Sequence, residues 1–255
     1  MRPFRLIALP ISSLTFLVFS SLLMAAAPSV DCPTQWQKIQ QEAPVPTKYT
    51  SLIGLCQNPL KEKLRALIST NRSNSYNWAR QKMMTIIDLY DGKLCGVYGG
   101  DCLQTNGRMP DDKEMNCEHT WPQSQGATGI AKSDLHHLFP ATPGSNTRRS
   151  NYPFCEVAKV SWSADGARLG KNLKGVQCFE APPAHQGNAA RAIFYFAIRY
   201  NKTVDPDQEA VLKNCSQKDP VSDQEIRRND QVESWQNNRN PFVDIPGLEA
   251  LISDF

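Results

Sequence analysis

Three segments in the middle of the chain decide the fold: residues 116–122 (NCEHTWP), 133–140 (SDLHHLFP) and 143–151 (PGSNTRRSN). The first two are short runs of the kind that form extended strands, and they are separated by a loop rich in glycine and polar residues. The third begins with proline and suits the start of a short helix. The sequence therefore predicts a strand, a loop, a second strand and a helix in this order.

Three of the four histidines, His119, His136 and His137, lie in one stretch of nineteen residues that spans the first two segments. The first of them, His119, directly follows Glu118. Neighbouring side chains of a regular strand point to opposite faces of the sheet. Glu118 and His119 can therefore act together only where the strand ends or bulges. We expect such an irregularity at this place.

The residue types suit the hydrolysis of a phosphodiester. Glu118 and Asn146 offer hard oxygen ligands for Mg²⁺, which is held by one or two protein oxygens and keeps several waters. His119 would titrate near pH 6.5 in a free peptide, so it can be neutral and take a proton from water. Arginines pair with phosphate oxygens. Taken singly, a Glu-His pair or an Asn in a turn is usually structural.

The combination resembles the bacterial endonuclease I family of exported and secreted nucleases. The resemblance rests on residues 116–122, 133–140 and 146–153 (NTRRSNYP), and it continues through 187–200 (GNAARAIFYFAIRY) and 239–243 (RNPFV). It covers the chain from about residue 75 to the C-terminus, in the family's order.

This resemblance implies an α+β chain with a ββα-metal (His-Me finger) nuclease fold, in which mixed helices surround a small antiparallel sheet. It implies a metal-dependent endonuclease that cuts DNA and RNA without sequence specificity and leaves 5′-phosphates. By position, His119 is the general base, and Glu118 and Asn146 are the ligands of one Mg²⁺, with Mn²⁺ or Ca²⁺ as possible substitutes.

The sequence does not single out one cation that would bind the phosphate. Some members of the family have an arginine in the loop between the two strands, but residues 123–132 contain only Lys132. The candidates to stabilise the phosphate are therefore Arg148, Arg149 and Arg191, and the sequence does not distinguish among them.

Two further residues match the family pattern without a settled role. We expect Asp134 and His136 to orient the active strand rather than to bind metal. We expect His185, in a Pro-Ala-His-Gln loop, to lie at the surface.

The N-terminus indicates export. Residues 1–27 combine Arg2 and Arg5 with a long apolar run and small residues at its end, the layout of a signal peptide. An uncleaved membrane anchor is the alternative, but Pro10 and the hydroxyl residues favour cleavage. We expect a single endonuclease I-like domain over 28–255, a periplasmic or secreted monomer without stable membrane association.

Export also bears on cysteine and charge. All eight cysteines lie after residue 27, and no C-x-x-C pair occurs. We therefore predict four disulfides rather than a zinc cluster, with Cys95–Cys102 as a local pair and a bridge at Cys117 that braces the site. The net charge of +3 falls to +1 without the two signal arginines, so binding to nucleic acid needs cations concentrated around Arg148, Arg149 and Arg191.

Apolar periodicity and capping residues predict helices over 59–68, 75–90, 188–200 and 222–237, whereas 28–58 is polar and proline-rich without clear periodicity. The pattern contains no internal repeat.

Two other functions compete with a nonspecific nuclease. One is a relative that prefers RNA or single strands. The other is a catalytically silent, disulfide-rich binding protein on the same scaffold. The presence of Glu118, His119 and Asn146 together argues against the second, because a binding protein needs neither a base nor metal ligands.

Overall fold

The computed structural model describes residues 30–99 and 102–255. The predicted signal peptide lies outside these residues, and the single domain over 28–255 stays a prediction. The described chain is of mixed α+β class. Its helices are α1 (Cys32–Glu42), α2 (Gln57–Ile68), α3 (Tyr76–Lys82), α4 (Pro143–Arg149), α5 (Gln186–Tyr200), α6 (Pro206–Lys218), α7 (Asp223–Gln236) and α8 (Pro241–Asp244). Its strands are β1 (Leu89–Tyr90), β2 (Lys93–Cys95), β3 (Cys102–Gln104), β4 (Asn116–His119), β5 (Leu138–Ala141), β6 (Lys159–Ala164), β7 (Ala167–Lys171) and β8 (Gln177–Glu180).

The strands form three small antiparallel sheets, in the orders β1-β2-β3, β4-β5 and β6-β7-β8. In the central pair, Glu118 lies opposite Phe139 and His119 opposite Leu138. Helix α4 begins directly afterwards, capped by the Thr142 side chain and with Pro143 in its first turn. The predicted order of strand, loop, strand and helix is confirmed.

The helix predicted over 75–90 is shorter than expected. Ser75 caps it and α3 continues as a π-helical turn over Met83–Ile87, but Leu89–Tyr90 forms a strand. The reason is that Asp91 and Gly92 both have positive φ, 50° and 74°. This Asp-Gly pair makes a hairpin turn, which requires extended residues on both sides.

The other predicted helices are present, with small shifts of their ends. The Ser222 side chain accepts from the Glu225 amide at the start of α7, as the capping-box pattern predicts. Helix α1, within the region expected to be irregular, was missed because only Trp36 and Ile39 of its residues are buried. A short, largely polar helix leaves little periodicity to read.

The core has a large cluster around α5 and a smaller one under the central strands. Eleven of the fifteen residues of α5 are buried. The smaller cluster packs Met83 and Met84 against Leu135, Leu138 and Cys117. Cys117 and Leu138 thus join the central strands to this cluster, and burial of each large apolar side chain contributes about 1.5–3 kcal/mol to stability.

The prediction of four disulfides is wrong. The bonds are Cys32–Cys56, Cys95–Cys102 and Cys155–Cys178, of which Cys95–Cys102 was predicted. Cys117 and Cys215 are free and buried. They cannot pair because they belong to different core clusters, Cys117 under β4 and Cys215 on α6 against α5. No disulfide therefore braces β4.

Three histidines of the core are shielded from solvent, including His185, which was expected at the surface. His185 packs edge-on against Tyr98 and Phe139. Burial lowers the pKa of His185 to about 3, and lowers the pKa of His136 and His137 to about 4. All three are neutral in the folded protein at physiological pH.

These shifts predict acid lability. In the unfolded chain each histidine titrates near pH 6.5, so the unfolded state binds more protons below that pH. Stability is therefore complete above about pH 6.5 and falls as the pH drops toward 4. We expect His185→Gln to reduce the slope of unfolding free energy against pH by about 1.4 kcal/mol per pH unit between pH 4.5 and 6, measured by urea unfolding. The exposed control Lys171→Gln should keep the wild-type slope. An unchanged slope in His185→Gln would show that His185 does not contribute.

Candidate active site

Glu118 lies in the central strand pair and is almost completely buried, with 2% of its surface exposed. The Tyr98 hydroxyl donates to its Oε1 at 3.0 Å, and Arg149 Nε lies 3.3 Å from the same oxygen. Burial raises the pKa of Glu118, and the Arg149 guanidinium opposes this rise. Since both contacts engage Oε1, Oε2 is the oxygen that could face a metal ion.

Arg149, one of the predicted phosphate-binding residues, is itself buried at the end of α4. Its Nη1 donates to the Tyr152 carbonyl at 2.7 Å and to the Ser150 carbonyl at 3.2 Å, and its Nη2 donates to the Thr120 carbonyl at 2.9 Å. The guanidinium is thus occupied by the protein. It joins the end of α4 to β4 and fixes Glu118.

Asn146 lies one turn before Arg149 on α4 and is half-buried. Its Nδ2 donates to the Cys117 carbonyl at 3.3 Å, which orients the amide and leaves Oδ1 free to act as a ligand. The Asn146 amide thus lies against the strand that carries Glu118, with its nitrogen on the residue before Glu118.

This donor set fits Mg²⁺. The described residues hold no group of three His, Cys, Asp or Glu side chains that could bind a metal. One carboxylate and one amide oxygen are hard ligands, and Mg²⁺ accepts two protein oxygens because it retains waters.

His119 is the last residue of β4, so the predicted irregularity is a strand end. Its Nε2 lies 3.0 Å from the Lys132 carbonyl, which can only accept, so Nε2 carries the proton. Its Nδ1 keeps the lone pair and lies 3.4 Å from the Gln123 amide nitrogen. Burial, with the neighbouring His137, lowers the pKa of His119 to about 3. The ring is therefore neutral and Nδ1 is a proton acceptor.

Several neighbours of the site were not predicted from the sequence. The Tyr76 ring lies 5.4 Å from the His119 ring, centre to centre, and Lys132 Nζ lies 4.6 Å from the Tyr76 ring centre. Tyr98 and Tyr76 belong to distant parts of the chain and carry no local signal. Gln123 lies four residues after His119, inside the loop that the motif defines.

Asp134 and His136 form no hydrogen bond with Glu118 or Asn146 among the residues that the structure describes. The Asp134 carboxylate accepts hydrogen bonds from the hydroxyls of Tyr195 and Tyr200 and from the amide of Gln236. Burial alone would raise the pKa of Asp134, but the histidines beside it and these hydrogen bonds lower it. Asp134 therefore anchors the loop between the strands to α5 and α7.

The predicted arginines are not brought together. Arg191 is buried on α5, where Nε and Nη2 donate to the two oxygens of Glu225 at 2.7 and 2.6 Å. Arg148 is exposed on α4. A phosphate role for any of the three stays a prediction, and the guanidiniums of Arg149 and Arg191 are already engaged.

Known proteins resemble the chain over most of its length. It is 28% identical to an extracellular ribonuclease of Bacillus subtilis over 89% of this chain and 81% of the relative. It is 29% identical to the extracellular ribonuclease of Bacillus amyloliquefaciens over 82% of this chain and 78% of the relative. An extracellular deoxyribonuclease of Aeromonas hydrophila is 28% identical over 56% of this chain and 58% of the relative.

The relatives also bear on location, since they are named extracellular or, in one case, periplasmic nucleases. Among the described residues, no helix has the length and apolar character needed to cross a membrane. The prediction of a periplasmic or secreted protein is confirmed.

The family model for Endonuclease I matches residues 56–247, so the chain belongs to the endonuclease I family.

Proposed function

We propose that this protein is an exported, Mg²⁺-dependent endonuclease that hydrolyses the phosphodiester bonds of DNA and RNA without sequence specificity. We assign it a ββα-metal fold, a monomeric state and products with 5′-phosphates. The observation that carries the proposal is the arrangement of His119. Its Nε2 is anchored on a backbone carbonyl and its Nδ1 is a neutral acceptor, immediately beside a buried carboxylate.

The residues divide the chemical work. His119 Nδ1 takes a proton from water, the water oxygen bonds to phosphorus, and the bond to the 3′ oxygen breaks. The leaving oxygen is protonated from solvent, which gives a 3′-hydroxyl and a 5′-phosphate. Glu118 Oε2 and Asn146 Oδ1 would hold Mg²⁺, which would supply charge stabilisation at the phosphate and the leaving oxygen.

A cation beside the base and an exposed cation on α4 would hold the scissile phosphate. Lys132 is half-buried, and its carbonyl accepts from His119 while its amine rests on Tyr76. We propose Lys132 and the exposed Arg148 for this role, because the guanidinium of Arg149 is occupied by backbone carbonyls.

One observation favours a preference for RNA. The two relatives named ribonucleases align with 89% and 82% of this chain, whereas the relatives named deoxyribonucleases align with 56% or less. We therefore keep RNA or single strands as the alternative substrate class. The silent binding protein finds no such support, since the base and both oxygen ligands are present.

The first test removes the proposed general base, His119. We expect His119→Ala to cleave plasmid DNA and RNA about 100- to 10,000-fold more slowly than wild type, the range expected for removal of a general base. We expect EDTA to abolish cleavage and added Mg²⁺ to restore it. Rates on both substrates, measured in parallel by gel electrophoresis, also give the preference between RNA and DNA.

The exposed control Lys171→Gln should retain the wild-type rate and show that purification preserves activity. Cleavage that is undiminished in His119→Ala, or that persists in EDTA, would refute the mechanism.

A second prediction concerns Arg149. Arg149→Met leaves Glu118 as a buried carboxylate without its cation, and breaking a buried pair typically costs about 3–5 kcal/mol. We expect a lower melting temperature and weaker binding of Mg²⁺ by calorimetry, because Glu118 is then favoured in its protonated form.

The matched control is the neighbouring exposed residue, Arg148→Met, which should leave the melting temperature unchanged. Equal melting temperatures for the two variants would contradict the positioning role of Arg149. Loss of activity with unchanged stability and Mg²⁺ binding would instead support direct phosphate contact.

A further inference from the structure

The concentration of cations expected around Arg148, Arg149 and Arg191 does not hold for the last two, which are buried against Glu118 and Glu225. A chain with a net charge of only +1 after signal removal must attract a polyanion through local cations. These have to be basic residues that no carboxylate neutralises.

Three such residues flank the loop between β4 and β5, and we call them the cation strip: Lys132, Arg199 and Lys202. None of them forms an ion pair within the described ranges, although thirteen ion pairs occur there. Lys132 is the inner end of the strip, because its carbonyl accepts from His119.

Lys202 lies against Gly126 in the same loop. A Cβ placed on Gly126 would be 2.8 Å from Lys202 Nζ and 3.3 Å from its Cε. Gly126 ends the turn that begins at Gln123, whose side chain contacts His119. The ammonium group is thus within one short turn of the proposed base.

Arg199 lies in the last turn of α5. Its Nη2 donates to the Asn71 side chain at 2.6 Å, and its guanidinium lies 4.8 Å from the Tyr200 ring centre. Its Nε is buried without a hydrogen-bond partner among the residues described. Three residues after Asn71, the Asn74 carbonyl accepts a hydrogen bond from the Ser133 hydroxyl. This bond connects the segment that Arg199 contacts to the loop between β4 and β5.

We propose that the cation strip binds backbone phosphates of a single nucleic-acid strand that extends beyond the scissile phosphate. The inference rests on the proposed function and adds the path of the substrate. Charge complementarity and continuity with His119 identify the occupant as a nucleic-acid strand. The helix dipole also attracts cations to the end of α5, so the test must separate substrate binding from stability.

The experiment compares two lengths of single-stranded RNA and DNA, about 4 and about 16 nucleotides, which span the site sizes common for single strands. Wild type, Arg199→Gln, Lys202→Gln and the double variant are assayed as full mature protein with Mg²⁺. Lys171→Gln, which removes an exposed lysine on β7, is the matched control. Melting temperatures of all variants are measured alongside.

For each single variant we expect the ratio of kcat/KM on long and short substrates to fall about 3- to 10-fold, through a higher KM with kcat unchanged. The dependence of log(kcat/KM) on log salt should become shallower by about 0.7 per lost phosphate contact. Lys171→Gln should keep both values.

An unchanged ratio of kcat/KM, or an equal loss of kcat/KM on both substrate lengths, would overturn the proposed role of the cation strip. It would leave the proposed nuclease activity standing. A wild-type protein that cleaves neither length overturns the proposed function together with the strip. Lower melting temperatures with an unchanged ratio would assign these cations to the stability of α5 alone.

Discussion

The burial of Glu118 is the constraint on which the rest of the site depends. A carboxylate removed from water is destabilising by several kcal/mol unless a cation and hydrogen bonds compensate for it. Arg149 supplies the cation and Tyr98 a hydrogen bond. Because Arg149 is the last residue of α4, this pair fixes the helix against the strand. Asn146, three residues earlier, lies on the same face of the helix and is brought to β4 by the same contact.

Two adjacent residues of this region have different electrostatic environments. Arg149 favours the charged form of Glu118, whereas burial and His137 favour the neutral form of His119. In the proposed mechanism a carboxylate ligand is needed in its charged form and a general base in its neutral form, so the two environments match the two proposed tasks. The strand end makes this possible, because the loop after it returns to place the Lys132 carbonyl against Nε2 and the Gln123 amide nitrogen beside Nδ1.

The parts of the site that were predictable are those determined within a short stretch of sequence. The strand, loop, strand and helix, the strand end at His119 and the capped helices follow from local patterns. The role of Arg149 was not predictable, because the guanidinium had to be placed relative to carbonyls on two elements. Arg191 is similar, since its partner Glu225 is 34 residues away. The free Cys117 and Cys215 show the same limit, because the number of cysteines says nothing about which core each one enters.

The position of the cations follows from the same physics. A guanidinium has a planar set of donors, so it can satisfy several carbonyls and a carboxylate at once in a buried place. Arg149 and Arg191 are used in this way, and their burial removes them from contact with substrate. An ammonium group is compact and strongly hydrated, and it remains at the surface on a flexible stem. Lys132 and Lys202 are half-buried, with the Lys132 amine over the Tyr76 ring and the Lys202 amine beside Gly126. On the proposed function, the two buried arginines serve the architecture of the site, and other cations such as Lys132 and Lys202 are left for the polyanion. If these cations bind the substrate as proposed, its attraction depends on where a few unpaired charges lie and little on the net charge.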